Sequence, residues 1–206
     1  VMENVLFKIN FPAEFHAQTA VECALKLHPQ VRERLADIER IVIETQEPAL
    51  RIIDKTGPLA NPADRDHCLQ YMTAVPLIFG RLTAADYEDA VAGDPRLDAL
   101  RARMVVRENA GFTAAYYERD QRYIGNAVQV FYRDGTATER VQVDYPVGHR
   151  RRRAEGAPLL ARKFADSVRA HYGAARAQPI LACFADLPAI DAMPVDELMS
   201  LLVKSD

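Results

Sequence analysis

No two of the three cysteines, Cys23, Cys68 and Cys183, stand close enough in sequence to make a CxxC or Cys/His ligand pattern. A structural zinc site or an iron–sulfur cluster therefore has no support. An odd, scattered set of thiols is expected to stay free in a reducing cytoplasm. Also missing is any apolar run near the ~20 residues of a membrane-spanning helix. The first residues, Val1-Met2-Glu3-Asn4, show no basic stretch followed by an apolar one, so no signal peptide is expected. A Met inside that start suggests a piece of a longer protein. Charge of one sign is lacking too. The 26 Lys and Arg against 29 Asp and Glu leave −3, with no long-range pull toward nucleic acid or an anionic membrane. Internal repeats and low-complexity segments are absent. What remains, at 49% hydrophobic and 27% charged over 206 residues, is ordinary globular composition, enough for one large domain or two small ones.

Periodicity supplies the elements. Ala13 to Leu27 carries an apolar face through Phe15, Ala20, Val21, Ala24 and Leu25, and Pro29 is expected to stop that helix. Asp37 to Thr45 alternates as a half-buried strand. Ala63 to Phe79 reads as one helix, with Pro76 a kink or stop near its end. Thr83-Ala84-Ala85-Asp86 has capping-box form and should open a helix to Val91, and Asp94-Pro95 should open another. Asn126 to Arg133, Asp134-Gly135 and Thr138 to Tyr145 make the clearest hairpin. Beyond His149 only helical patterns appear, at Leu159 to Tyr172 and Val195 to Val203. The expected fold is α+β: a two-layer, sandwich-like α/β domain with an antiparallel sheet over residues 1–148, then a helical segment over 149–206. That tail is too small to bury a core alone and should pack on something else.

The stretch Asp54-Lys55-Thr56-Gly57-Pro58-Leu59-Ala60-Asn61-Pro62-Ala63-Asp64-Arg65-Asp66-His67 concentrates turn formers and proton-binding groups at the mouth of an apolar helix. Such a loop is how a rigid element presents chemistry. Together with Phe7 to Ala20 (FKINFPAEFHAQTA), Gly80 to Tyr87 (GRLTAADY), the Asp134-Gly135 hairpin and Tyr145-Pro146-Val147-Gly148-His149, it resembles the C-terminal half of the MmgE/PrpD family. These blocks span nearly the whole chain. The resemblance implies a larger, homodimeric, metal-free enzyme without cofactor. In it an all-helical domain, made from an N-terminal half and the C-terminal tail, would face the α+β domain across the active site. It also implies a hydro-lyase that removes water from 2-methylcitrate, giving 2-methyl-cis-aconitate in the methylcitrate cycle of propionate catabolism. Hydration of the related citrate and cis-aconitate is an adjunct. Relatives that decarboxylate cis-aconitate or epimerise iminodisuccinate form the alternative, and a non-catalytic dimerisation module is a third reading.

Dehydrating such a substrate removes a proton from a carbon beside a carboxylate and expels a tertiary hydroxyl. It needs a base, an acid, and cations or donors for three carboxylates. The resemblance implies catalytic roles for Lys8, His16 and Tyr71, and substrate contacts for Arg65, His67 and His149. The residues also have plainer readings. Lys8 is a solvated lysine, His16 a satisfied histidine, and Tyr71 a core tyrosine sharing a helix face with His67. Asp64 and Asp66 act as caps with Arg65 ion-paired to them, and His149 is a structural turn residue. Arg150 to Arg153 is a charge run of the usual solvated kind. Cys68 reads as core, and His28 and His171 as surface. The implied aspartate and histidines of the helical domain have no counterpart here, so this chain alone is expected to be inactive.

Overall fold

The computed structural model describes residues 8–185 and 187–203. The chain divides into two compact units, Val1–Arg153 and Ala154–Asp206. In the first, a 3-10 turn at Phe15–Ala17 leads into α1 (Gln18–Val31), then β1 (Ile38–Thr45), α2 (Glu47–Ile53), α3 (Pro62–Asp66) and α4 (Leu69–Phe79). A 3-10 turn at Ala84–Tyr87 precedes α5 (Asp89–Ala92) and α6 (Pro95–Arg101). β2 (Met104–Glu108), α7 (Ala110–Tyr117), β3 (Asn126–Tyr132) and β4 (Val141–Val143) complete the unit.

The four strands form one sheet in the order β2-β1-β3-β4. β1 and β3 run antiparallel, as do β3 and β4, so the expected hairpin is present. The expectation of an antiparallel sheet is incomplete, because β2 joins β1 in parallel, Ile41 opposite Met104 and Ile43 opposite Val106. A parallel neighbour needs a long crossover, and here that crossover consists of the helices α2 to α6. Period-2 alternation sends Ile41 and Ile43 of β1, Val128 and Val130 of β3 and Val141 and Val143 of β4 to one buried face. α1 packs against β3 and β4 there, and against α4. α4 is buried along its whole length from Leu69 to Ile78, which is why its apolar residues follow no single stripe. On the opposite face Glu44 joins Arg140 and Arg107, and these charge-assisted bonds, Arg140 first, hold its carboxyl down to about 2.

Several boundaries differ from expectation. The helix expected from Thr83 to Val91 is a 3-10 turn and α5, parted where Glu88 takes extended backbone (ψ 157°). α1 runs through Pro29 to Val31, a fully buried residue whose packing outweighs the one backbone bond the proline forfeits. The single helix expected from Ala63 to Phe79 is two, broken where Cys68 takes extended backbone (φ −122°, ψ 107°) ahead of α4. Pro76 is tolerated inside α4, which ends instead at Gly80 (φ +67°), where the Cβ of any other residue would lie 2.8 Å from the His28 ring. His28 itself is no plain surface residue, since its Nδ1 lies 3.0 Å from the Leu77 carbonyl and ties α1 to α4.

The second unit holds α8 (Arg153–Tyr172), whose first residue closes the first unit, α9 (Ala174–Ala185), α10 (Leu187–Ala192) and α11 (Val195–Leu202). Val168, Ala177 and Ile180 form its small core, flanked by Phe184, Leu201 and Leu202. The Tyr172 hydroxyl donates to the Leu202 carbonyl at 2.9 Å. Phe164, Val195, Met199 and Val203 stay exposed. No helix among the described residues is long and apolar enough to cross a membrane.

Candidate active site

The N-terminal end of α1 is pinned to the start of β3. Thr19 donates through Oγ1 to the Ile124 carbonyl at 2.7 Å. Buried Asn126, the first residue of β3, donates through Nδ2 to the His16 carbonyl at 2.8 Å and to Thr19 Oγ1 at 2.7 Å. His16 is thereby fixed at backbone level, and only 8% of it is exposed.

Its side chain sits in a short polar chain. Glu14 caps the turn, accepting from the His16 backbone N–H at 2.7 Å, and also faces Nδ1 at 3.0 and 3.2 Å. Burial alone would raise the Glu14 carboxyl. The hydrogen bond and charge of His16 and the backbone N–H groups outweigh that, and the net direction is down. An ionised carboxylate only accepts, so Nδ1 carries a proton. The far nitrogen, Nε2, lies 3.3 Å from the Tyr116 hydroxyl, with the two rings tilted at 34° and 5.7 Å apart. Tyr116 comes from α7. Asn109 caps that helix, accepting from the Gly111 and Phe112 N–H groups, and the Tyr117 hydroxyl ties it to Glu47 of α2 at 2.9 Å. The arrangement fixes Nδ1 on a carboxylate and leaves Nε2 to exchange a proton with a phenol.

Of the other sequence-predicted residues, Lys8 opens the irregular segment, bent at Asn10 and Ala13, that leads to Glu14, and is exposed. Tyr71 is not joined to this chain. It is 2% exposed, stacks on Tyr87 with centroids 6.0 Å apart, and donates its hydroxyl to the Asp86 carbonyl at 2.5 Å. Burial pushes its phenol up to about 12. Arg65 is 6% exposed and spans from α3 to the Tyr87 carbonyl and the Asp89 carboxylate, both at 2.6 Å, rather than to its neighbouring aspartates. Asp64 is not the cap of α3 either. Asn61 is, accepting from the Asp64 N–H at 2.9 Å, while Asp64 pairs with Lys55. His67 is exposed and pairs with Asp66.

His149 lies in a separate buried place. Its ring stacks on Tyr145 at 4.5 Å, and Nδ1 accepts from the Arg151 N–H at 3.2 Å. Nε2 makes no hydrogen bond of full geometry among the described residues. Burial, then the charges of Arg150 and Arg151, pull this imidazole down to about 4, so it is neutral at pH 7. The basic run beside it is structural. Arg152 donates to Glu22 at 2.8 Å and to the Tyr145 carbonyl at 2.6 Å, Arg150 reaches the Asp120 carbonyl, and Arg151 lies over the Tyr145 ring at 5.1 Å.

A family description, the MmgE/PrpD C-terminal domain, matches residues 11–187. The chain belongs to the MmgE/PrpD family. Among curated MmgE/PrpD relatives, the 2-methylcitrate dehydratase of Salmonella typhimurium is 54% identical over 206 residues, covering 98% of this chain and 43% of its own length. That of Cupriavidus necator is 54% identical over 204 residues, covering 98% and 42%. A mitochondrial 2-methylcitrate dehydratase of Yarrowia lipolytica is 53% identical over 209 residues, covering 100% and 40%. The chain thus spans less than half the length of these relatives. Sequence reading of the MmgE/PrpD blocks missed Glu14 and Tyr116. Glu14 had a signal, an acid two residues before a histidine at a helix start, whereas Tyr116 had none, because α7 was not foreseen and the contact joins residues 100 apart.

Proposed function

We propose that this chain supplies the α+β part of a hydro-lyase that converts 2-methylcitrate to 2-methyl-cis-aconitate in propionate catabolism. The names of relatives at 52–54% identity support the reading. The observation that carries it is His16, buried, fixed through its backbone, held at Nδ1 by the Glu14 carboxylate and facing a tyrosine at Nε2. A histidine so held suits proton traffic at the departing hydroxyl. Lys8, on the same segment, suits a substrate carboxylate. Tyr71, Arg65, His67 and His149 take no chemical role in this reading, because the first two are committed to backbone carbonyls and the latter two lie outside the chain of bonds at His16. We take the working protein to be a cytoplasmic homodimer. The free thiols of Cys23, Cys68 and Cys183 suit a reducing compartment.

The remaining length of the relatives supplies the other wall of the site. The test is to combine this chain with the remaining N-terminal portion of the Salmonella relative and follow 2-methyl-cis-aconitate by its ultraviolet absorbance. Turnover is expected from the combination and not from the chain alone. Release of carbon dioxide from cis-aconitate, or no turnover of either substrate, would overturn the proposal.

A further inference from the structure

We propose that Tyr116, not His16, is the group that meets the substrate, with His16 behind it as proton store and Glu14 as the residue that positions His16. The inference rests on the hydro-lyase reading and extends it to a residue on a different element. The order of the contacts decides it. Both ring nitrogens of His16 face partners inside the trio, Nδ1 at Glu14 and Nε2 at Tyr116, so the Tyr116 hydroxyl, on a half-buried residue near the end of α7, is where the chain of bonds ends. Two contacts fix the ring: the tilted stack on His16, and an edge contact with Tyr117 at 5.3 Å and 86°. Because Glu14 holds a proton on Nδ1, the only nitrogen that can exchange one is Nε2, and it faces Tyr116.

The protons balance as follows. The carbon–oxygen bond breaks with its electron pair on oxygen, and the Tyr116 proton makes that oxygen water. The imidazolium Nε2–H restores the Tyr116 proton, leaving neutral His16 with Nδ1–H still on Glu14. The electron pair of the neighbouring carbon–hydrogen bond forms the double bond, and its proton goes to a base outside this trio. Water then reprotonates Nε2. At 3.3 Å the Nε2 to hydroxyl separation is long, and such contacts tighten when substrate fills a site.

Tyr116→Phe keeps both ring contacts and removes only the hydroxyl. In the combined enzyme it should lower kcat by about 100-fold with KM little changed. Glu14→Gln should lower kcat and move the alkaline limb of the pH profile, and Glu14→Asp should restore part of both. Full kcat in Tyr116→Phe overturns the proposal. A second readout needs no turnover. Nitrogen NMR of His16 in the 206-residue chain, read at a pH where the ring is neutral, should show the Nδ1–H tautomer, and Glu14→Gln should mix in the other; an Nε2–H tautomer of the neutral ring in the wild type also overturns it. If the wild-type combination shows no turnover, the hydro-lyase reading fails and takes the Tyr116 role with it, while a retained Nδ1–H tautomer keeps Glu14 as the partner of His16.

Discussion

Replacing Tyr71 with Phe separates two roles that family resemblance and structure assign differently. The resemblance implies a hydroxyl at the active site, whereas the structure gives that hydroxyl to the Asp86 carbonyl at 2.5 Å, in a place 2% exposed. Phe keeps the ring and its stack on Tyr87, so the change is one lost donor and one carbonyl left without it. A buried acceptor so stranded costs about 1–2 kcal/mol, and in a chain of this size that lowers Tm by roughly 2–8 °C. A second signature lies in alkali. The folded-state phenol is raised from 10 to about 12, so the folded state holds this proton more tightly than the unfolded one. Its contribution is full below the unfolded value near 10 and fades as pH climbs toward 12. Tyr71→Phe should therefore flatten part of the alkaline loss of stability. Urea melts of both proteins at neutral and alkaline pH measure this. An unchanged midpoint together with lost turnover would refute the reasoning, because it would put the hydroxyl on substrate instead of on Asp86.

Arg152→Ala takes the guanidinium from the carboxylate of Glu22, itself 8% exposed and still bonded by the Val147 N–H, and removes the donor to the Tyr145 carbonyl; urea unfolding should report a loss of about 2–3 kcal/mol. Gly80→Ala puts a Cβ 2.8 Å from the His28 ring at φ +67°, so calorimetry should show Tm lowered by the equivalent of about 1–3 kcal/mol. His149 is depressed to about 4 from 6.5, so the unfolded chain takes up its proton first; that stability is full above about pH 6.5 and is lost as pH falls toward 4. His149→Asn should make the acid loss of stability shallower over that window, as read from urea midpoints at several pH values.

The local signals in the sequence were sound where one residue and its near neighbours decide the outcome. The Thr83/Asp86 capping box is formed, Asp94 caps α6 through the Arg96 N–H, and the Asp134-Gly135 hairpin pairs β3 with β4. The alternation of Asp37 to Thr45 is β1 within one residue. What failed needed distant partners. Met104–Glu108 became a strand only because β1 offers it a parallel edge, and its own pattern alternates weakly, with Val105 51% exposed. α2 and α7 are short, and tertiary packing rather than propensity settles elements of that length. The same holds at the site. His16 could be named from its motif, but the Asn126 bond to its carbonyl and the Tyr116 contact at Nε2 cross more than 95 residues of chain. Arg65 was grouped with Asp64 and Asp66 by adjacency, although its guanidinium turns away from them to Tyr87 and Asp89.

The most direct measurement is the turnover of 2-methylcitrate by the combined enzyme carrying His16→Asn, beside the wild type and at matched folding by circular dichroism. Asn keeps a polar side chain near Glu14 but cannot store a proton. Turnover should fall by about 100-fold or more while 2-methylcitrate still binds. Wild-type turnover in His16→Asn would contradict the placement of the proton-handling site at the start of α1.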